Sequence, residues 1–448
     1  MLRPSGPAET TRARNPAASE RSAKRRGRSF SAVAAAALLG MVGPSCVSTD
    51  VPAPAENALH LGTVLPFSGD RAASGVALES ALQLAIGAVN RAGGLGGQPL
   101  WLDVQDSHSD DERGRDNAVR LINSTRMPFF IGTEEPKISY RITDEIKSHQ
   151  MVHLMPGLTS AQFHDPSAVA AWFRLSPSVQ FLSCALAKHM VAQGIAKASV
   201  LLAPDDYSSY FGTSFGLVFT SKGGAMLPAL FIDPQSASYA DVLEAVARLS
   251  PDATVLVTSP SVAAGFLQEW AVRGRPVKLY LGPTLNTPEL LRNLPVGVLE
   301  GMQGVSADLG DQSSAFDAYF LAQTAEPPVA GSHYYFDAVA LLSLAVAEGI
   351  AQTQQLPTPA QLKDHMLSVS SAGGTVVTFD RLADGLALLA SGQKIQYAGA
   401  AGFYLLNSLG DSTLNRGAIW QVKGTGFETI DYQQCSMSEV LDDPTARK

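Results

Sequence analysis

Residues 59–106 constrain the chain more than any other stretch. They read as a short apolar run, a Gly/Ser loop, a long amphipathic segment, a glycine cluster and a second apolar run ending in acid. The run 61–65 has strand length and leads into Pro66-Phe67-Ser68-Gly69, a turn signal. Leu78, Leu82, Ala85 and Val89 then recur at i, i+4, i+7 and i+11, which is one face of a helix. Asn90-Arg91-Ala92-Gly93-Gly94-Leu95-Gly96-Gly97 stops that helix, because glycine supplies the left-handed residue a helix end needs. Residues 100–104 follow as a buried strand that closes on Asp106. Strand, crossover helix and strand make a βαβ unit, in which the two strands run parallel.

The rhythm continues along the chain. Helical patterns are expected at 111–123, 137–148, 177–193, 210–222, 239–249, 262–273 and 313–324. Apolar runs of strand length lie at 129–131, 151–155, 199–203, 225–231, 254–257, 278–281 and 301–305. Such alternation specifies α/β architecture, parallel sheets covered by helices on both faces. A longer helix is expected at 333–349, and after Gly373-Gly374 the runs shorten, at 375–379, 402–406 and 418–422. The 448 residues suffice for about two to three domains. At 46% apolar and 17% charged, they can bury a substantial core. Two α/β lobes are implied, with the change near Ser176-Pro177. Open α/β sheets bind ligands beyond the carboxyl ends of their strands. The loops that matter are therefore 67–74, 132–137, 156–160, 204–210, 259–261 and 282–286.

The first 45 residues differ from the rest. They carry eight Lys/Arg against two acids, a net of +6 in a chain of net −8, which leaves −14 on the remainder. An acidic body argues against nucleic acid and against electrostatic docking to anionic lipid. Lys24-Arg25-Arg26-Gly27-Arg28 precedes the apolar run 32–42, too short to span a bilayer. A basic segment followed by a short apolar run reads as a secretion signal, 1–45. Gly43-Pro44-Ser45-Cys46 then places a cysteine where bacterial lipoproteins resemble one another at their acylation site, although such boxes usually carry Leu where Gly43 stands. Acylated Cys46 would anchor the protein to a membrane, with 46–58 as a Pro/Ala tether. Cleavage at Ala53-Pro54-Ala55, giving a soluble secreted protein, is the alternative. Cys184 lies in an apolar run and is expected as a packed core thiol, with a 184–435 bridge left open.

Several chemical motifs weaken on inspection. Gly212-Thr213-Ser214-Phe215-Gly216 fits the G-x-S-x-G pattern of serine hydrolases, but that motif needs a strand directly before the serine. Here the preceding apolar run ends near Ala203, so an esterase using Ser214 is the least favoured reading. The 93–97 glycines follow a helix and lack dinucleotide-loop spacing. His149 and His153 fall partly on a strand, where a spacing of four need not converge on a metal. Asp103, Asp106, Asp110 and Asp111 are too irregular for a calcium loop. No enzyme activity, metal or cofactor is expected.

From Leu59 to about Gly426 the chain resembles type I periplasmic solute-binding proteins of the branched-chain amino acid kind. The resemblance rests on Pro66-Phe67-Ser68-Gly69, the 90–97 cluster, Asp106, Phe130-Ile131-Gly132, Pro156-Gly157-Leu158-Thr159-Ser160, Phe173-Arg174-Leu175-Ser176-Pro177, Asp205-Asp206-Tyr207 and Phe336-Asp337-Ala338. Tyr397-Ala398-Gly399-Ala400-Ala401-Gly402, Gly410-Asp411 and Ile419-Trp420 complete it. The resemblance implies two Rossmann-like lobes with parallel-sheet cores, joined by a three-strand hinge and closing on a solute. Lobe one would be 59–177 plus 307–410, lobe two 178–306 plus 411–435, and 436–448 a tail. The closed form would be read by an ABC transporter permease or, alternatively, by a sensor partner.

The resemblance also carries pocket residues over. Gly157 and Thr159 match contacts to a solute carboxylate, and Tyr207 matches a lobe-two tyrosine. The hydroxyl position of amino-acid-binding relatives falls on Pro136, their acid for the solute ammonium on Thr284, and a further tyrosine near Pro260. Phe336 keeps an aromatic where relatives have tyrosine, and Ser74 replaces one. Ser68, Ser74, Thr133, Glu134, Gly157, Thr159, Tyr207, Thr284 and Phe336 are thus the candidate ligand contacts. Glu134 and Glu135 could receive an ammonium, but a solvated acidic loop is the expected state. A zwitterion with an unpaired buried ammonium would lose several kcal/mol, so a standard branched-chain amino acid is not the expected solute. Tyr207 and Phe336 suggest an apolar or aromatic body.

Overall fold

The protein, described here from a computed structural model, is defined over residues 53–69, 71–124, 127–159, 172–408, 410–412 and 416–441. The basic segment, the apolar run 32–42, Cys46 and residues 442–448 lie outside the described residues. The first sheet is built in order from β1 (Leu59–Leu65), α1 (Ala72–Arg91), β2 (Leu100–Asp106), α2 (Asp111–Ser124), β3 (Phe129–Ile131), α3 (Pro136–Arg141), α4 (Thr143–Ser148), β4 (Val152–Met155) and β5 (Trp172–Arg174). Its order is β2-β1-β3-β4-β5, all parallel. The expected 137–148 helix is two short ones, broken at Ile142. α1 puts Leu78, Leu82, Ala85 and Val89 in the core, as their spacing requires. Burying each large aliphatic side chain contributes roughly 1.5–3 kcal/mol.

The second sheet follows with α5 (Val179–Ala192), β6 (Lys197–Leu202), α6 (Asp206–Ser221), β7 (Ala225–Met226), β8 (Leu230–Phe231), α7 (Ala240–Leu249), β9 (Ala253–Val257), α8 (Pro260–Val272), β10 (Leu279–Leu281), α9 (Pro288–Arg292) and β11 (Gln303–Ala307). The expected 225–231 strand is two, β7 and β8, because Pro228 between them has no N–H for the ladder. The chain then returns to the first lobe as α10 (Ser313–Thr324), α11 (Ser332–Thr353), α12 (Pro359–Ser370), β12 (Thr375–Thr378), α13 (Leu382–Ala390), β13 (Ile395–Gly399) and β14 (Gly402–Phe403). These helices share the core of β1–β5. Finally β15 (Arg416–Lys423) and β16 (Gly426–Gln434) add antiparallel to β11, followed by α14 (Met437–Leu441). The result is α/β, with two Rossmann-like lobes.

Among the described residues, passages of chain run between the lobes at 174–179, at 307–313 and where 410–412 leads towards Arg416. Two of them are bolted together. Arg174 Nε donates to Asp411 Oδ1 at 2.8 Å, both residues are buried, and Ser412 N donates to the Arg174 carbonyl at 2.9 Å. Breaking one member of a buried ion pair leaves the other charge desolvated, so this bracket fixes where the passages cross. Cys184 is packed in the core as expected and takes the alternative left open for it, a bridge to Cys435, which ties α5 to the chain beyond β16 across 251 residues.

Candidate ligand site at the sheet ends

The carboxyl ends of β1–β4 open into four loops that hold one another. Asp106 accepts from the Phe67 amide at 2.8 Å, the His108 amide at 2.7 Å and Ser68 Oγ at 2.7 Å. Outweighing a burial penalty, these donors hold the Asp106 carboxyl below its usual range. Ser68 is therefore engaged in the turn, with its hydroxyl also 2.7 Å from His108 Nδ1. The turn presses on α1 so closely that a Cβ on Gly75 would lie 1.9 Å from the Pro66 carbonyl oxygen.

The loop after β3 carries the acids. Thr133 is buried, its hydroxyl donating to the Glu135 carbonyl at 2.6 Å and its amide to Ser139 Oγ at 2.8 Å. Thr133 thus builds the loop, with both its hydroxyl and its amide engaged inside it. Pro136 starts α3 at a position whose N–H would have no helical partner. Beneath the loop, His153 donates from Nε2 to the Gly132 carbonyl, and burial depresses its pKa to about 4. It is neutral, while His149 is exposed and bonds within its own helix, so the pair does not form a metal site.

Glu134 and Glu135 do not form a solvated acidic loop. Glu135 is 2% exposed, and Oε1 accepts from Ser107 at 2.8 Å and lies 3.0 Å from the Arg71 guanidinium. Glu134 is half-buried, and its Oε1 accepts from Ser74 at 2.8 Å. The second oxygens of both carboxylates are buried with no hydrogen-bond partner. So is the hydroxyl of Tyr335, a fully buried residue on α11. A Cβ on Gly132 would lie 3.3 Å from that hydroxyl, and one on Gly157 3.6 Å from the Tyr335 ring. Burial first, then repulsion from Glu135, raises the Glu134 pKa, and burial beside both acids pushes the Tyr335 phenol well up. Ser74, Glu134 and Gly157 are thus brought together around Tyr335. Phe336 is not among them: it is buried in a cluster with Phe316, Tyr319 and Phe379. The next residue back along α11 is the ring at the sheet end. Thr159 is half-buried, and its carbonyl accepts the amide of Val179, the first residue of α5 at the end of the passage into the second lobe.

At the carboxyl ends of the second sheet the polar groups are hydroxyls. Asp205 caps α6 by accepting from Ser208 N at 2.7 Å, which leaves half-buried Tyr207 in the first turn. Thr284 donates to the Thr258 carbonyl at 2.7 Å, and the Thr258 hydroxyl is buried without a partner. Pro260 opens α8, as Pro136 opens α3. A hollow of about 240 Å³ bordered by Trp270, Lys278, Tyr280 and Gln303 lies at the amino ends of β10 and β11, the opposite side of this sheet. Ser214 is buried within α6, without the strand and turn a nucleophile needs.

A family model described as periplasmic binding protein matches residues 58–388. Among solved structures, an ABC transporter substrate-binding protein from Sphaerobacter thermophilus superposes with a TM-score of 0.70 at 16% identity, over 84% of this chain and 98% of that one. A leucine binding protein from Thermotoga maritima gives 0.67 at 16% identity, over 84% and 99%. A solute binding protein of R. palustris in complex with benzoate gives 0.65 at 19% identity, over 84% and 96%. No match was found among the curated proteins.

Proposed function

The chain belongs to the periplasmic binding protein family, whose members bind solutes and are not enzymes, and from that premise we propose that it is the extracytoplasmic solute receptor of an ABC transporter. A small molecule would be held between the lobes, 59–177 plus 307–410 and 178–306 plus 411–435, and closure about the three passages would present it to the permease. The observation that carries this reading is the placement of polar groups at the carboxyl ends of both sheets. Ser74, Glu134, Gly157, Thr159 and Tyr335 sit on one lobe, Tyr207, Thr258 and Thr284 on the other. Residues 1–45 would direct export, and Cys46 would carry the lipid anchor, with 46–58 as tether; the expected tail 436–448 begins instead as α14, whose Val440 is buried in the second-lobe core and whose Glu439 pairs with Lys188 and Lys222. Fractionation checks the anchor: Cys46→Ala should move the protein from membrane to soluble fractions, and a wild type already soluble and beginning near Glu56 would sink it.

A standard branched-chain amino acid is a poor fit. Thr284 stands where the ammonium partner would be, and its hydroxyl is engaged with Thr258. Leucine, isoleucine and valine are therefore expected to bind weaker than about 100 μM, under roughly 5.5 kcal/mol. Calorimetric titration of the ligand-stripped protein, with solution scattering on the same samples, tests both parts. Low-micromolar leucine binding overturns the solute assignment. A bound solute that leaves the radius of gyration unchanged overturns closure.

A further inference from the structure

The lobe-one wall of this site is built to accept hydrogen bonds. It holds one buried and one half-buried carboxylate and a single guanidinium, Arg71, which bonds to Glu135 and only partly offsets the charge of Glu134. Glu134 receives a single donor, Ser74. Three polar atoms of this wall are buried without partners, Glu134 Oε2, Glu135 Oε2 and the Tyr335 hydroxyl, and the charges of both acids act on that phenol. The Tyr335 ring is wholly enclosed, and a Cβ on Gly132 would lie 3.3 Å from its hydroxyl. An unfilled buried acceptor is costly, and more so when charged. Natural interiors rarely leave two carboxylate oxygens on adjacent residues, and a phenol that can both donate and accept, without partners.

A carboxylate-bearing solute fits this wall badly. It would bring a third anion against Glu134 and Glu135 and offer no donor to any of the three atoms. A group rich in N–H donors and positively charged does the reverse. It supplies donors to both free carboxylate oxygens and to the phenol, and it adds the second positive charge that two carboxylates facing one guanidinium lack.

We propose that this protein captures an organic cation, an ammonium or amidinium on a small apolar body, whose charged head sits on Glu134, Glu135 and Tyr335 of lobe one. The proposal rests on the solute-receptor reading above. It inverts the polarity of solute recognition relative to the R. palustris neighbour, which was solved with benzoate. The apolar body would extend towards Tyr207, the half-buried ring at the end of the second sheet.

Matched pairs on one hydrocarbon body test it: isopentylamine with isovalerate, benzamidine with benzoate, tryptamine with indole-3-propionate. Each is titrated into ligand-stripped wild type, Glu134→Gln and Tyr335→Phe, with thermal melts confirming that the variants fold. At least one cation should bind about tenfold tighter than its carboxylate twin, or roughly 1.4 kcal/mol. Glu134→Gln should remove most of that preference, and Tyr335→Phe a smaller part. A carboxylate that outbinds its twin overturns the proposal, as does a cation preference indifferent to Glu134→Gln, or no binding by any cation. Scattering separates this failure from that of the receptor reading. Contraction on a carboxylate keeps solute capture and removes only the cation. A bound probe of either kind without contraction counts against capture between closing lobes.

Discussion

Two acids of the first lobe, Asp337 and Glu134, are both withdrawn from water and are treated in opposite ways. Asp337, on α11, has every acceptor position filled. Tyr397 Oη and the Ala400 amide donate to Oδ1 at 2.6 and 2.7 Å, and the Ala401 amide and Tyr404 Oη donate to Oδ2 at 2.8 Å each. It clamps the β13–β14 turn to the long helix so tightly that a Cβ on Gly399 would lie 2.4 Å from Oδ2. Glu134 has one donor and one empty oxygen. Burial raises both carboxyls, but four donors work against it at Asp337 while a second acid reinforces it at Glu134. A saturated buried carboxylate is a structural rivet. A half-saturated one stores unfavourable free energy that a ligand can release, which is how a binding site differs from a core built of the same residue types.

The largest break of this contrast is at the rivet. Asp337→Ala strands two phenols and two amides in the core, and the loss should be about 3–5 kcal/mol, the range for removing one partner of a buried charged network. Urea denaturation measures it. A loss below about 1 kcal/mol would mean that the clamp is redundant and that saturation does not mark structure here.

Much of the fold was legible because period and punctuation agree locally. Leu78, Leu82, Ala85 and Val89 specify α1, and the short apolar runs specify the parallel strands. α6 begins at Asp206, ahead of the apolar pattern at 210, because Asp205 is its cap; that signal was readable. So was the capping box Thr358–Gln361 that opens α12, a helix the apolar pattern does not announce. The site was less legible, for physical reasons. Ser74 and Glu134 are 60 residues apart, and only the β1–β3 pairing brings their loops together. The bridge from Cys184 to Cys435 likewise depends on tertiary placement. The choice between Tyr335 and Phe336 could not come from periodicity. α11 is buried almost all round from Ser332 to Val346, so no polar stripe says which ring meets the sheet end. The resemblance named Phe336, whereas packing puts Phe336 among Phe316, Tyr319 and Phe379 and its neighbour Tyr335 beside Gly132 and Gly157.

The smaller test is at Glu134, and its sign is opposite. Glu134→Gln keeps the shape, lets the amide oxygen accept from Ser74, and removes a charge held beside Glu135. In the ligand-free protein at neutral pH it should leave stability unchanged or raise it by up to about 1 kcal/mol. The effect should depend on pH in one direction only. A carboxyl whose pKa is raised by folding binds its proton more readily in the folded state. Wild-type stability therefore falls as pH rises from the ordinary glutamate value, roughly 4.3, to the raised one. Above that window the wild type carries the whole cost of an ionised, under-donated Glu134, and the variant's advantage is greatest. Below it, protonated glutamate and glutamine are nearly isosteric and the advantage should vanish. The two proteins differ only at residue 134, so subtracting the two melting curves reads the change made there, its repulsion with Glu135 included. An advantage that persists unchanged at acid pH, or a variant less stable than wild type at neutral pH, would place Glu134 with Asp337 as a second rivet and leave the lobe-one wall without its open acceptor.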